Sequence, residues 1–323
     1  ATGMHALGNP VGVAVRGNNN TIGGSGPDER NIISGNNNGV VVDGTATGNR
    51  VIGNFIGTDS TGLNEPVGAN QGAGVALNNS ASANDIGGAA SGERNLISGN
   101  WTGVQFQGTA TANRVIGNFI GTDLSGSGVV LRNVDTPYPL RQWSGVLLST
   151  SASNNVIGGG DPAERNIISG NSFGVRIQDS ATQNKVIGNY IGPGVTGMSA
   201  PSYPDWSNGG AGIVVTGSAS GNEIGGAATG NVIAGTPNPL RLEGPSTGTL
   251  VRGNSIGTDA AGSAAMPVPG TDPVPNGLMV EGSSGNFIGG PNPGDGNVVS
   301  GTKWGVSFGP QKDANGVIFA YAN

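Results

Sequence analysis

The sequence predicts an all-β fold, a right-handed parallel β-helix of three sheets and about ten coils. Three observations carry that expectation. Glycine and proline fill 63 and 19 of the 323 positions, yet they recur with a period rather than at random. An Ile-Gly phrase returns at Ile22, Ile86, Ile157, Ile224 and Ile288. Short Val- and Ile-rich segments sit between Gly and Asn punctuation inside every period. Without the period, so much Gly and Pro would mark a disordered chain. With it, repetition decides the architecture.

Within each long period lies a shorter one. Strand starts of the Gly-Val type fall at Gly12, Gly39, Gly74, Gly103, Gly145, Gly174, Gly212, about Pro239, Gly277 and Gly305, one per coil. Each coil holds three β-like segments, such as Val40-Val41-Val42, Arg50-Val51-Ile52 and Phe55-Ile56. Strands this short bury no face alone. Stacked at ~4.8 Å per coil, they pair with their copies and enclose a shared apolar column. Crossovers between parallel strands are right-handed in nearly all cases, which sets the expected hand. The whole of 1–323 reads as one β-helix domain, with long corner loops at 60–73, 124–144, 193–211 and 260–276.

The register predicts two inward rows. One runs Ile22, Val51, Ile86, Val115, Ile157, Val186, Ile224, Val251, Ile288; the other runs Ile33, Ile56, Ile97, Ile120, Ile168, Ile191, Ile233, Ile256, Val299. No charged residue enters either row. Asn accounts for 37 positions, and two Asn rows flank the apolar ones. The unbroken row is Asn31, Asn54, Asn95, Asn118, Asn166, Asn189, Asn231, Asn254, Asn297. The other begins at Asn20 and Asn49 and carries Thr249 near its end. Asn tolerates left-handed corners, and stacked amides bond one another up a rod, so these rows read as structural ladders. An ice-binding reading finds no regular outward Thr row to support it. Beside the first inward row, Arg50–Asp85–Arg114 and Lys185–Glu223 place opposite charges on adjacent coils. Such pairs contribute only ~0.2–1 kcal/mol each and set register.

Composition excludes several functions. With 14 basic against 20 acidic residues and no basic run, nucleic acid is not the expected partner. Zero Cys removes disulfides, thiolate metal sites and cysteine nucleophiles. No apolar run reaches the ~20 residues that span a bilayer. Neither a metal nor a cofactor is expected.

The recurring phrases Glu29-Arg30-Asn31, Glu93-Arg94-Asn95 and Glu164-Arg165-Asn166, with Ile56-Gly57-Thr58-Asp59 and its copies ending at Asp123 and Asp259, carry a resemblance. The chain resembles bacterial right-handed parallel β-helix repeat proteins of the pectin-lyase-like superfamily. The resemblance covers nearly all of 1–318 and implies the fold and an extracellular or cell-surface location. It is a poor guide to activity, since that superfamily includes lyases, hydrolases, epimerases, adhesins and structural proteins.

Enzymes of that superfamily cluster Asp with Arg, Lys or His on adjacent turns, and no such signature stands in this sequence. Its one His is His5, in the first loop. Asp59 and Asp123 each open an Asp-x-x-Gly turn, where the carboxylate bonds the backbone two residues on. No catalytic residue is therefore expected. The individual features lie at the third corner, where the loops are rich in Pro and aromatics. Trp101, Tyr138, Trp143, Tyr203, Trp206 and Trp304 are the candidate binding residues, on one edge, for a glycan or protein partner. At the ends, Asn315 to Ile318 aligns with Asn49 to Ile52, so that either one copy's tail would meet another's head in nearly continuous phase or the sequence is an excerpt of a longer solenoid. The expected function is a non-catalytic extracellular structural protein that stacks head to tail with itself in a surface filament or adhesin. The alternative is a polysaccharide-binding or polysaccharide-degrading protein using the aromatic edge, decided by whether Asp123, Asp135, Arg141 and Asp205 form a groove. The Asn100-Trp101-Thr102 sequon leaves glycosylation open.

Overall fold

Three short strands per coil, repeated with the same inward residues, leave each sheet to be built across coils rather than along the chain. The computed structural model describes residues 8–66, 69–130, 142–201, 208–266, 268 and 274–309, with the strands Gln311–Lys312 and Ile318–Phe319. A ten-stranded first sheet runs from Val11–Val15 to Thr302–Gly309. Two nine-stranded sheets follow, from Thr21–Gly23 to Phe287–Ile288 and from Ile32–Ile33 to Val298–Val299. Neighbours in all three are parallel copies from successive coils. The chain is thus a three-sheet parallel β-helix of about ten coils. Among the described residues the only helical pieces are short 3-10 turns such as Pro27–Glu29, and no helix is long and apolar enough to cross a membrane.

Both predicted inward rows are in register. Ile22 pairs with Val51, Val51 with Ile86, and so on to Ile288. Ile33, Ile56 and Ile97 begin the second row, which ends at Val299. Interior members are fully buried; the end members Ile22, Ile288 and Val299 are only partly so. The first sheet adds two further inward columns, among them Val40, Val75 and Val104, and Leu77, Phe106 and Leu148. The Gly before each such Val has a steric cause. A Cβ on Gly145 would lie 2.5 Å from Ile168 Cγ2 and 2.6 Å from the Gly174 carbonyl oxygen.

Amide ladders occupy the corners. The Asn31–Asn297 row is continuous: each Nδ2 donates to the Oδ1 of the next coil's Asn, at 2.9 Å from Asn95 to Asn118 and 3.1 Å from Asn118 to Asn166. The other row runs unbroken from Asn20 to Asn222 and lapses at Thr249, whose buried Oγ1 has no partner among the described residues. A third ladder, unforeseen from the sequence, stands at the entry to the first sheet: Asn36, Asn70, Asn100, Gln142, Asn171 and Asn208.

One further expectation is corrected, at the C-terminal side, and one seam is new. Between the first and second sheets a row alternating Thr and Ser links Thr47, Ser82, Thr111, Ser153, Thr182, Ser220, Thr247 and Ser284 by isolated bridges. Its hydroxyls bond along the row, as Thr182 Oγ1 does to the Ser220 carbonyl at 2.7 Å, with buried Ala46, Ala81 and Ala110 beneath. At the C-terminal side, Ile318–Phe319 does not extend the second sheet but pairs antiparallel with Gln311–Lys312. A local hairpin closes a far shorter loop than another full coil would.

Candidate functional site

The repeated Glu-Arg-Asn phrase, which carries the family resemblance, is a structural device in this fold. Glu93 and Glu164 each accept from an arginine one coil below, Arg50 and Arg114. The adjoining arginine reaches one coil up. Arg30, Arg94 and Arg165 donate Nε–H to the carbonyls of Gly53, Gly117 and Gly188, at 3.2, 3.0 and 3.1 Å. Their guanidiniums lie 4.1 Å from the ring centroids of Phe55, Phe119 and Tyr190, a favourable cation–π placement. Those rings, with Leu96 and Ile167, form a second apolar cluster on the outer side of the third sheet. Of the predicted charge chain, Arg114 lies 3.9 Å from Asp85 and Lys185 lies 3.0 Å from Glu223, whereas Arg50 turns to Glu93.

The loop carboxylates are turn residues. Asp59 Oδ1 accepts from the backbone N–H of Thr61 at 3.1 Å and its hydroxyl at 2.6 Å, and Oδ2 accepts from Asn64 at 3.1 Å. Burial works against ionisation of Asp59, but the bonds from Thr61 and Asn64 outweigh it and hold the carboxyl below its ordinary range. Asp123 bonds Ser125 and Gly128 in the same way. Asp259, held low mainly by the Ser263 backbone N–H at 2.8 Å, closes the equivalent turn. These turns bond one another on alternate coils: Leu124 N–H donates to Gly62, Val195 to Gly126 and Ala260 to Gly197, at 3.0, 2.9 and 2.9 Å. Among the described residues no group of His, Asp or Glu could hold a metal ion.

Of the six candidate aromatics, two meet. Trp101 and Trp143 stack with centroids 6.2 Å apart and planes at 15°. Phe173, which the sequence reading passed over, meets Trp143 edge-on at 5.1 Å. Arg176 lies 5.3 Å over the Phe173 ring, with its buried Nε lacking a hydrogen-bond partner among the described residues. Both indoles are nearly half exposed. Trp304 stands apart, on the tenth strand of the first sheet where Trp143 is on the fifth, in register with Asn276 and near Lys303. Tyr138, Tyr203 and Trp206 lie outside the described residues, as do His5, Asp135, Arg141 and Asp205, so the proposed groove is not on view. The signal for Phe173 was available: it pairs with Ser144, the residue after Trp143.

The Asn100 sequon is closed in the folded chain. Asn100 is fully buried, and its Nδ2 donates to the Ile56 carbonyl at 3.0 Å and to Gln142 in the third ladder.

Sheets, ladders and turns together define the class, a parallel β-helix with an aromatic patch on its first sheet. No protein-family model matches the chain, and no curated protein does. Among solved structures it is similar to PfbA, a surface adhesin of Streptococcus pneumoniae, at 12% identity and a TM-score of 0.23, over 86% of this chain and 72% of that one. A likeness of that degree bears on neither ligand nor activity.

Proposed function

We propose that this chain is a non-catalytic, extracellular structural rod, a right-handed member of the pectin-lyase-like superfamily, which stacks end to end with copies of itself. The observation that supports stacking is the state of the last coil in the sheets. Phe308 is 59% and Val306 39% exposed, although they continue columns whose interior members Phe106 and Val104 are fully buried. Phe287, Val298 and Trp304 are exposed beside them. Among the described residues the outermost strands of each sheet have a neighbour on one side, and such edges are the usual template for another chain. The polar turns and self-satisfied ion pairs of the flanks suit a rod that keeps its sides in water. Analytical ultracentrifugation with electron microscopy tests the proposal: concentration-dependent growth along the long axis is expected, reduced by Phe308→Asp. Dispersed single rods at high concentration would refute it.

A second reading rests on the Trp101–Trp143–Phe173 patch. Stacked, half-exposed indoles suit the apolar face of a sugar ring. On this reading the chain binds polysaccharide, and a degrading activity would show in a uronide lyase and glycosidase panel. Trp143→Ala should abolish retardation on polysaccharide-containing gels; unchanged mobility across the panel for wild type and variant alike would discard it.

A further inference from the structure

Among the described residues, Arg176 is the arginine left without a polar partner. Of the other described arginines, three donate to backbone carbonyls and five pair with Asp or Glu. Arg176 makes neither kind of contact; its guanidinium lies 5.3 Å over the Phe173 ring, and its buried Nε is unbonded. The chain carries 20 acidic against 14 basic residues, so carboxylates are plentiful, yet the fold brings none to this cation.

Register explains the isolation. The outward station of the first sheet runs Gln105, Leu147, Arg176 and Val214 on successive coils. Apolar side chains therefore stand below and above the guanidinium. On the second sheet the same kind of station pairs Lys185 with Glu223 and Arg114 with Asp85. Along the chain, the next charged residue after Arg176 is Asp179, an exposed carboxylate just past the strand Asn171–Ile177. On the other side Phe173 leads to Trp143 and Trp101, both nearly half exposed.

Resting on the polysaccharide reading above, we infer that this patch selects an acidic sugar flanked by neutral ones. The sugar carboxylate meets the Arg176 guanidinium, whose fork matches it in plane with parallel hydrogen bonds. The neighbouring neutral ring lies against the exposed parts of Trp143 and Trp101. The ligand carries its acid sparsely. A uniform polyuronide would set further carboxylates against Leu147 or Val214 along the rod, where each loses water and gains no partner. Across the rod it would set one against Asp179, where like charges repel. A polymer with isolated uronates avoids both.

Biolayer interferometry on immobilised polysaccharide tests this with three probes. They are glucuronoxylan, a neutral xylan backbone with isolated uronate branches; the same polymer with its carboxyls reduced to alcohols; and polygalacturonate. Wild type should bind glucuronoxylan with a Kd at least about tenfold lower than either of the others. Salt at about 1 M, where the screening length is ~3 Å, should erase that difference. Arg176→Gln should bind both xylans as wild type binds the reduced one, and that residual binding shows the variant is folded. Arg176→Lys, which keeps the charge and loses the fork, should fall between. No binding to any probe, together with unchanged mobility on the polysaccharide gels above, would sink the polysaccharide reading itself. Binding to neutral polymers alone, equal binding to native and reduced glucuronoxylan, or Arg176→Gln matching wild type would leave that reading standing and overturn acid recognition. Polygalacturonate bound more tightly than glucuronoxylan would overturn the sparse-acid assignment.

Discussion

Replacing Asn118 by Asp keeps the shape of the side chain and exchanges one NH2 for an oxygen. The rest follows from the ladder. Oδ1 continues to accept from Asn95, whose two donors lie 3.2 and 2.9 Å away. What disappears is Nδ2, which reaches the carbonyls of Ile86 and Ile116 at 2.8 and 3.0 Å and the Oδ1 of Asn166 at 3.1 Å. Asn166 keeps the Asn118 backbone N–H at 2.9 Å, so the side-chain donor is lost chiefly to the two carbonyls. Each buried hydrogen bond lost costs about 0.5–1.5 kcal/mol, and a fully buried carboxylate facing oxygens cannot stay charged cheaply. The expected loss is about 3–5 kcal/mol at neutral pH. The pH dependence has a definite sign. Burial among carbonyls raises the folded-state pKa of the new carboxyl above its unfolded value of about 3.9. Its stability is thus retained below about pH 4, where the protonated acid donates one bond, and is lost as pH rises through the folded value. Urea melts of wild type, Asn118→Asp and the exposed control Asn37→Asp at pH 4 and pH 7, read by circular dichroism and amide exchange, measure this. A loss below about 1 kcal/mol at pH 7, or no narrowing at pH 4, would refute the claim that the ladder donors hold the corner.

The remaining predictions concern other parts of the rod. Thr249→Asn should restore an acceptor above Asn222 and remove an unpartnered buried hydroxyl, raising stability by about 1 kcal/mol in thermal denaturation. Gly145→Ala drives a methyl against Ile168 and the Gly174 carbonyl; it should cost roughly 1–3 kcal/mol, with exchange protection lost first in the adjoining coils. Glu223 is partly buried, which opposes its ionisation, but hydrogen bonds from Arg252 and Lys185 outweigh that and hold its pKa below the ordinary value. Its contribution is present above that value and lost as pH falls through the folded one, so wild type should weaken below about pH 4 and Glu223→Gln should flatten that slope.

Most of the fold was legible because each coil must place the same residue types at the same stations. Ile56 and Ile97 are both Ile for one reason: they fill the same buried column on adjacent coils. The third ladder was hidden because every second member lies beyond a long loop: Asn100 and Asn171 follow Asn95 and Asn166 by five residues, whereas Asn70 and Gln142 follow loops of unlike length and one of them is not Asn. The arginine–ring contacts could have been read. Arg30 to Phe55, Arg94 to Phe119 and Arg165 to Tyr190 are the same distance apart along the chain, yet a contact between coils shows no periodicity within one. The aromatic patch was half visible. Trp101 and Trp143 stand out by type, whereas Phe173 and Arg176 join them only once register fixes which strands are neighbours. The Ser/Thr seam was overlooked because Ser and Thr alternate along it, and a search for Thr alone sees every second member.

The hydrogen bonds of all three sheets lie along the long axis, and this governs how the molecule meets mechanical load. A pull shared across a whole cross-section strains every bond of one junction together. A pull on a single loose strand concentrates on a few bonds, breaks them, and passes the load to the next coil. Under shear flow or tethering such a particle should therefore fail by unspooling from a tip, at a modest and nearly constant force, rather than by snapping in the middle.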